Sequence, residues 1–333
     1  MARTGAERHR GLGGAAIPTA LRWGILGAGL VADDAVAPAL REAGHDLAVV
    51  ASQSLSRAQS FAARHGVRRA RGSYDEALAA RDVDAVYVAL HPAAHEEWAV
   101  AALEAGKHVI CERPLSTDAG SAARIAAAAV ANGCTVMESQ PARFHPRTQA
   151  LLELVDGGDI GQVRLMTVAL SQRMRDLDNF RARPELGGGA LLDLGTPAIA
   201  MARWLAREEP EGVQAVSRRW RTGADGVIAA LLSFPSGAVA SVAASFEGAA
   251  HEVLEVSGTY GAVGTQLAFN AGADDEVTLV RDGREIGSWR ADPYPRMLAA
   301  FADAAASGRE APLPVEDAVA TASVVDAVRT AAG

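Results

Sequence analysis

Only 5% of the 333 residues are aromatic, and only two are cysteine, Cys111 and Cys134. A core so short of rings has to be filled by Ala, Val and Leu. Two cysteines with no Cys-x-x-Cys spacing exclude a zinc ribbon or a disulfide framework, and no metal site is expected. Both lie at the edges of strand-like runs, HVIC and CTVME, where buried free thiols are the expectation. No run of about 18 apolar residues occurs, which excludes an ordinary membrane-spanning helix. An excess of basic charge is missing too. The net charge is −8, the wrong sign for nucleic acid or an anionic membrane surface. The first twenty residues are rich in Ala, Gly and Arg but lack the continuous apolar stretch of a secretory signal. Residues 1–20 are therefore expected to be a flexible extension, and the protein to be cytoplasmic.

What is present is a long, regular alternation. The length suggests about two domains. From Leu21 onward, continuous apolar runs (RWGIL, DLAVVAS, VDAVYVAL, HVICE, CTVMES) alternate with helix-like segments. Strands without polar alternation, separated by helices, imply a parallel sheet covered on both faces. The fold class expected for residues 21–140 is therefore α/β, a doubly wound parallel sheet. In this stretch Ser56 is the expected N-cap of a helix that ends before Gly66. After Pro141 the pattern changes. A helix over 146–156 and a strand over 161–174 precede a loop, and a Gly187–Gly189 turn leads into a helix starting near Ala190. Six strand candidates then follow, joined by turns such as PSG and RDG, and two helices close the chain. Residues 141–333 thus read as a second, α+β domain with an open, largely antiparallel sheet.

Gly27-Ala28-Gly29-Leu30-Val31-Ala32 fits the G-x-G-x-x-G/A pattern, after a strand and at the opening of a helix. Gly27 permits the tight turn, and Gly29 lets the backbone approach a pyrophosphate. Ala32 allows close helix–strand packing, while the N–H groups around Leu30 and Val31 face the anion. A dinucleotide is the ligand this arrangement suits. The second strand ends at Ala51-Ser52-Gln53-Ser54 with no Asp or Glu for a ribose 2′-hydroxyl. Ser52, Gln53 and Arg57 can instead donate to a 2′-phosphate, which tilts the expectation from NAD toward NADP.

The segments RWGILGAG, ALHPAAHEEWAVAALEAGKHVICERPLS, RFHP, PELGGGALLDLGTPAI and PLPVEDAVATASVVDAV occur in that order. In this combination the chain from Arg22 onward resembles the glucose–fructose oxidoreductase/inositol dehydrogenase (Gfo/Idh/MocA) family. The resemblance implies an N-terminal Rossmann domain and a C-terminal open sheet that commonly forms a homodimer or homotetramer interface. It implies hydride transfer between a nicotinamide and a sugar, keto-sugar or similar cyclic polyol or ketone. It further implies a proton donor supplied by the lysine of a Glu-Lys-Pro motif, or by a Tyr or His four residues after the Asp of GGGALLD.

This sequence departs from the family at both positions. The first motif reads Glu112-Arg113-Pro114, with an Arg–Pro bond that can be cis. The second places Pro197 four residues after Asp193. Arginine keeps a positive charge that can stabilise a developing oxyanion, but it is a poor acid or base near neutrality. The catalytic candidates are Arg113, Asp193 and His91, the last just beyond a strand C-terminus. Glu112 and His95 are expected on the cofactor side, and His145, Asn179 and Arg181 on the substrate side. Two alternatives stay open at this point. One is a nucleotide-binding protein without turnover. The other is elimination, isomerisation or cyclisation on the same scaffold.

Overall fold

A computed structural model describes residues 20–333; the expected extension, apart from residue 20, lies outside them. The first sheet has six parallel strands, β1 (Arg22–Leu26), β2 (Asp46–Ala51), β3 (Arg69–Arg71), β4 (Ala85–Val88), β5 (His108–Cys111) and β6 (Val136–Glu138), in the order β3-β2-β1-β4-β5-β6. Helices α1 (Ala37–Glu42), α2 (Leu55–His65), α3 (Tyr74–Leu78), α4 (His95–Glu104) and α5 (Ala119–Asn132) connect them. The strand order reverses between β1 and β4, and a crevice opens beyond their carboxyl ends, where open α/β sheets bind ligands. The Arg113–Pro114 bond is cis.

One cap differs from expectation. Ser54, not Ser56, caps α2, accepting from the Arg57 N–H. Ser54 is the residue in extended backbone, which aims its hydroxyl at the first turn. The Ser56 hydroxyl instead pairs with that of Ser54, 3.0 Å away. The thiols also differ slightly: Cys111 and Cys134 are both free, but Cys134 is only half-buried.

The second half contains α6 (Pro146–Asp156), β7 (Val163–Ser171), α7 (Thr196–Ala206), β8 (Gly212–Arg219), β9 (Asp225–Ser233), β10 (Val239–Ser245), β11 (His251–Gly258), β12 (Ala262–Gln266), β13 (Val277–Arg281), β14 (Arg284–Trp289), α8 (Pro293–Ser307) and α9 (Val315–Ala331). Its eight strands form one sheet, ordered β14-β13-β12-β11-β7-β10-β9-β8, and the β7–β10 pair alone is parallel. β14 was not anticipated. REIGSW has little apolar content and is an edge strand, mostly exposed. One face of this sheet packs on α7, through Met166, Val168, Ile228, Leu232, Val242 and Met201. The opposite face leaves Leu165, Val216 and Leu231 exposed.

The last two helices return to the first sheet. Met297, Leu298 and Phe301 of α8 join the core beneath β1, where Phe301 meets Trp23 at a 5.8 Å centroid separation. Val315, Ala318 and Ala322 of α9 join the core on its other side. A buried charge cluster ties α9 to α7 and to the segment just before α6. Asp317 on α9 accepts from Arg143 at 2.6 Å and from Arg203 on α7 at 3.0 Å, and both arginines are almost wholly buried. Removing one partner of such a cluster leaves buried charge unpaired. Asp317→Ala should therefore cost about 3 kcal/mol of unfolding free energy in chemical denaturation. A loss well under 1 kcal/mol, the value of an exposed pair, would contradict this.

Candidate active site

The crevice begins at the turn after β1. Gly27 has φ +102°, and a Cβ there would lie 2.2 Å from the Ala89 carbonyl oxygen. Only glycine lets the end of β1 press against the end of β4. The Gly27 N–H donates to Ala51 and the Ala89 N–H to Leu26, which locks the turn between β2 and β4. A Cβ on Gly29 would meet nothing within 4 Å, so this glycine faces open space. Leu30, at the lip, is 77% exposed.

The cavity is about 510 Å³, and the sequence-nominated residues Gly27, Gly29, Leu30, Val31, Ser52, Arg57, His91, Glu112, Arg113, Asn179, Arg181 and Asp193 all line it. A larger hollow of about 640 Å³ lies over β11–β13. It lacks both the glycine turn and the cation–carboxylate pair, so the crevice is the candidate site.

At one end, Ser52 is buried and accepts from the Ser54 N–H, and Arg57 reaches the cavity wall. Among the described residues Arg57 forms no ion pair. Tyr74 stands at the same end. Gln53 is a correction. It is exposed at the start of the β2–α2 turn, outside the cavity lining.

At the other end, the loop before α7 folds back on itself. Gly188 and Gly189 donate to the Arg183 and Arg181 carbonyls. Gly189 has φ +124°, and a Cβ there would strike the Asp225 carboxylate. That carboxylate accepts from the Leu191 N–H at 2.6 Å and so caps the turn that carries Asp193. The fold-back brings Arg181 onto Asp193, Nε to Oδ2 at 3.0 Å, with its guanidinium over the Phe180 ring. Asn179 caps the same short turn through the Arg181 N–H. Pro197 is buried in the first turn of α7 and offers no proton.

Arg113 crosses from the first half to the second, donating to the Asp193 backbone carbonyl at 2.6 Å. Burial lowers its pKa, but the charges of Asp193 and Glu112 outweigh this, and the net direction is upward. It is a fixed cation. Glu112 accepts from the Tyr87 hydroxyl and the Arg113 N–H. Burial raises its carboxyl pKa, and Arg113 offsets part of that. Lys107, the only lysine in the sequence, donates to the Ala80 and Val83 carbonyls. It lies at the amino end of β5, away from the carboxyl end that leads to Arg113, and cannot replace it. His91 lines the crevice with a buried Nδ1 that has no partner among the described residues.

Two histidines require correction. His95 is 0% exposed and does not line the crevice; its ring lies between the Pro114 carbonyl at 2.8 Å and the Leu90 carbonyl at 3.0 Å. It therefore tethers the loops that carry Arg113 and His91. His145 is also buried outside the crevice and caps α6, accepting from the Arg147 N–H at 3.1 Å. The residues that sequence reasoning missed are Tyr294, Gln172, Asn270, Tyr74, Phe180 and Leu194. Most are brought to the crevice from distant segments, and no local motif marks them.

Residues 21–140 match the oxidoreductase family with an NAD-binding Rossmann fold, GFO/IDH/MocA, and residues 148–264 match the GFO/IDH/MocA C-terminal domain. The chain is 34% identical to an NADP-dependent D-xylose 1-dehydrogenase of Haloferax volcanii over 92% of this chain and 96% of that one. A 3-ketoreductase from Actinomadura kijaniata, solved with NADP and TDP-benzene, superposes with a TM-score of 0.87 at 32% identity, covering 94% and 98% of the two chains. An aldose–aldose oxidoreductase from Caulobacter crescentus gives a TM-score of 0.87 at 26% identity, covering 94% and 97%. The chain belongs to the GFO/IDH/MocA family of nucleotide-dependent oxidoreductases.

The His95 environment sets a pH dependence. Burial outweighs the two carbonyls, and the pKa falls from 6.5 to about 4. A histidine depressed in the folded state contributes stability above its unfolded pKa, and that stability is lost as pH falls toward the folded value. Unfolding free energy should decline between about pH 6.5 and 4, by at most about 3 kcal/mol from this group. His95→Asn should flatten part of that slope in denaturant titrations, and an unchanged slope would contradict the assignment.

Proposed function

We propose that the protein moves hydride to or from a carbon of a sugar, keto-sugar or similar cyclic polyol or ketone. We further propose that it prefers NADP and works with Arg113 at the position where the family carries lysine and with Pro197 at the position where it carries tyrosine or histidine, Asp193 helping to hold the substrate side. The supporting observation is convergence: one crevice holds the glycine turn, Arg57, which has no ion-pair partner among the described residues, and the Arg113–Asp193–Arg181 cluster. The open space above Gly29 fits a pyrophosphate. Ser52 and Arg57, with no carboxylate beside them, fit a 2′-phosphate. In this reading residues 21–140 hold the cofactor, and residues 141–333 shape the substrate side.

The nicotinamide, when bound, supplies or accepts the hydride. The protein does the rest. Arg113, held by the Asp193 carbonyl, offers its remaining N–H groups to a substrate oxygen and stabilises charge there. Arg181 holds the Asp193 carboxylate in place. Gln172, Asn179 and Asn270 add amide groups suited to sugar hydroxyls. The intact crevice favours redox turnover over a scaffold role, and nothing in it favours elimination or isomerisation. The apolar outward face of the eight-stranded sheet, with Leu165, Val216 and Leu231, suits a homodimer or homotetramer; a monomer in light scattering would refute that.

Because a Cβ at Gly29 would meet no protein atom within 4 Å, Gly29→Val should leave the melting temperature within a few degrees of wild type. It should weaken NADPH binding, read by fluorescence, at least about tenfold. Unchanged affinity would remove the dinucleotide from this crevice. Arg57→Ala should weaken NADPH by about tenfold, the scale of one charge-assisted hydrogen bond, and leave NADH unaffected. Equal effects on both would refute the 2′-phosphate role.

A further inference from the structure

We propose that Tyr294 is the catalytic residue that exchanges a proton with the reacting oxygen, in the place vacated by the substitutions at residues 113 and 197. The inference rests on the redox function proposed above.

Elimination among the crevice groups leads to it. Ser52, Arg57 and Tyr74 lie beside the end of β2, away from Arg113. Asp193 is committed to Arg181 at 3.0 Å. Arg113 is a fixed cation, and Glu112 already accepts from Tyr87 and from the Arg113 backbone. Two proton carriers remain at the Arg113 end, His91 and Tyr294.

Tyr294 is the better placed of the two. It sits in the first turn of α8, between Pro293 and Pro295, and its N–H is held by the Asp292 cap at 2.9 Å. The helix is anchored through Phe301 and Met297 in the core beneath β1, and the Tyr294 ring packs against the same cluster as Ala28, Val31 and Ala89. The phenol is therefore fixed relative to the glycine turn. Its hydroxyl has no hydrogen-bond partner among the described residues, and the charges of both Arg113 and Glu112 act on it. Burial pushes its pKa well above the ordinary tyrosine range, so the proton is in place at neutral pH. Glu112 opposes ionisation of the phenol, while Arg113 and the positive end of α8 favour the transient phenolate.

In the reducing direction, a bound reduced nicotinamide would supply the hydride to carbon as the substrate's carbonyl π bond opens. The Tyr294 O–H bond breaks and a new O–H bond forms on the substrate oxygen. Water in the open crevice then reprotonates the phenolate. Oxidation runs the same steps backward. Arg113 stabilises the oxygen, and Tyr294 carries the proton, so the tasks that one lysine combines are divided between two residues.

The test uses the full chain and Tyr294→Phe, which keeps the ring and its packing. NADPH affinity by fluorescence should stay within about twofold, while kcat with whichever member of a panel of aldoses and keto-sugars the wild type turns over fastest with NADP(H) should fall about 100-fold or more, the scale of one general acid–base group. The near-ultraviolet tyrosinate titration of wild type minus variant isolates one phenol. In the unloaded protein it should ionise above the ordinary tyrosine range, and NADP⁺ should draw it down. A variant that retains wild-type kcat, or a phenol indifferent to NADP⁺, overturns the proposal and leaves the redox function standing. So does a His91→Asn variant that alone shows the loss. Wild type that fails to bind NADPH removes the redox function and this proposal together.

Discussion

The contact between residue 27 and the Ala89 carbonyl is the constraint from which the rest of the site follows. No side chain fits there, so β1 can end hard against β4 and the chain can turn into its first helix without filling the space beyond. Ala89, Leu90 and His91 are held by that contact on one wall, and Glu112 and Arg113 follow from the next strand on the other. The crevice is the gap that a six-stranded parallel sheet leaves where its winding reverses.

The second constraint is the closing of that gap from the far side. Arg113 reaches a backbone carbonyl at Asp193, and the glycine-rich loop folds Arg181 down onto the Asp193 carboxylate. A lysine at residue 113 would be a point charge with three donors. Arginine spans further and keeps N–H groups free after making the cross-crevice bond. In the proposed mechanism the arginine therefore binds and bridges, and the proton task falls to the Tyr294 hydroxyl, which α8 brings to the crevice from near the opposite end of the chain.

Much of the fold was legible because its signals are local. Apolar strands, the Gly27–Ala32 pattern, and a glycine cap such as Gly66 depend only on neighbouring residues. The misses have physical causes. β14 is an exposed edge strand whose pairing with β13 supplies what its composition does not. Ser54 and Ser56 are equally good caps by type, and only backbone dihedral separates them. His95 and His145 look like site residues by type, but burial has turned one into a tether between loops and the other into a helix cap. Tyr294, Gln172 and Asn270 carry no motif, since only tertiary packing places them beside Arg113.

A crystal structure of the NADPH complex measures the central claim directly. The expected result has the pyrophosphate over the Gly27–Val31 turn, the 2′-phosphate at Arg57, and the nicotinamide ring at the end of the crevice holding Arg113, Asp193 and Tyr294. An empty crevice at saturating NADPH, or a nicotinamide ring turned away from Arg113, would contradict it.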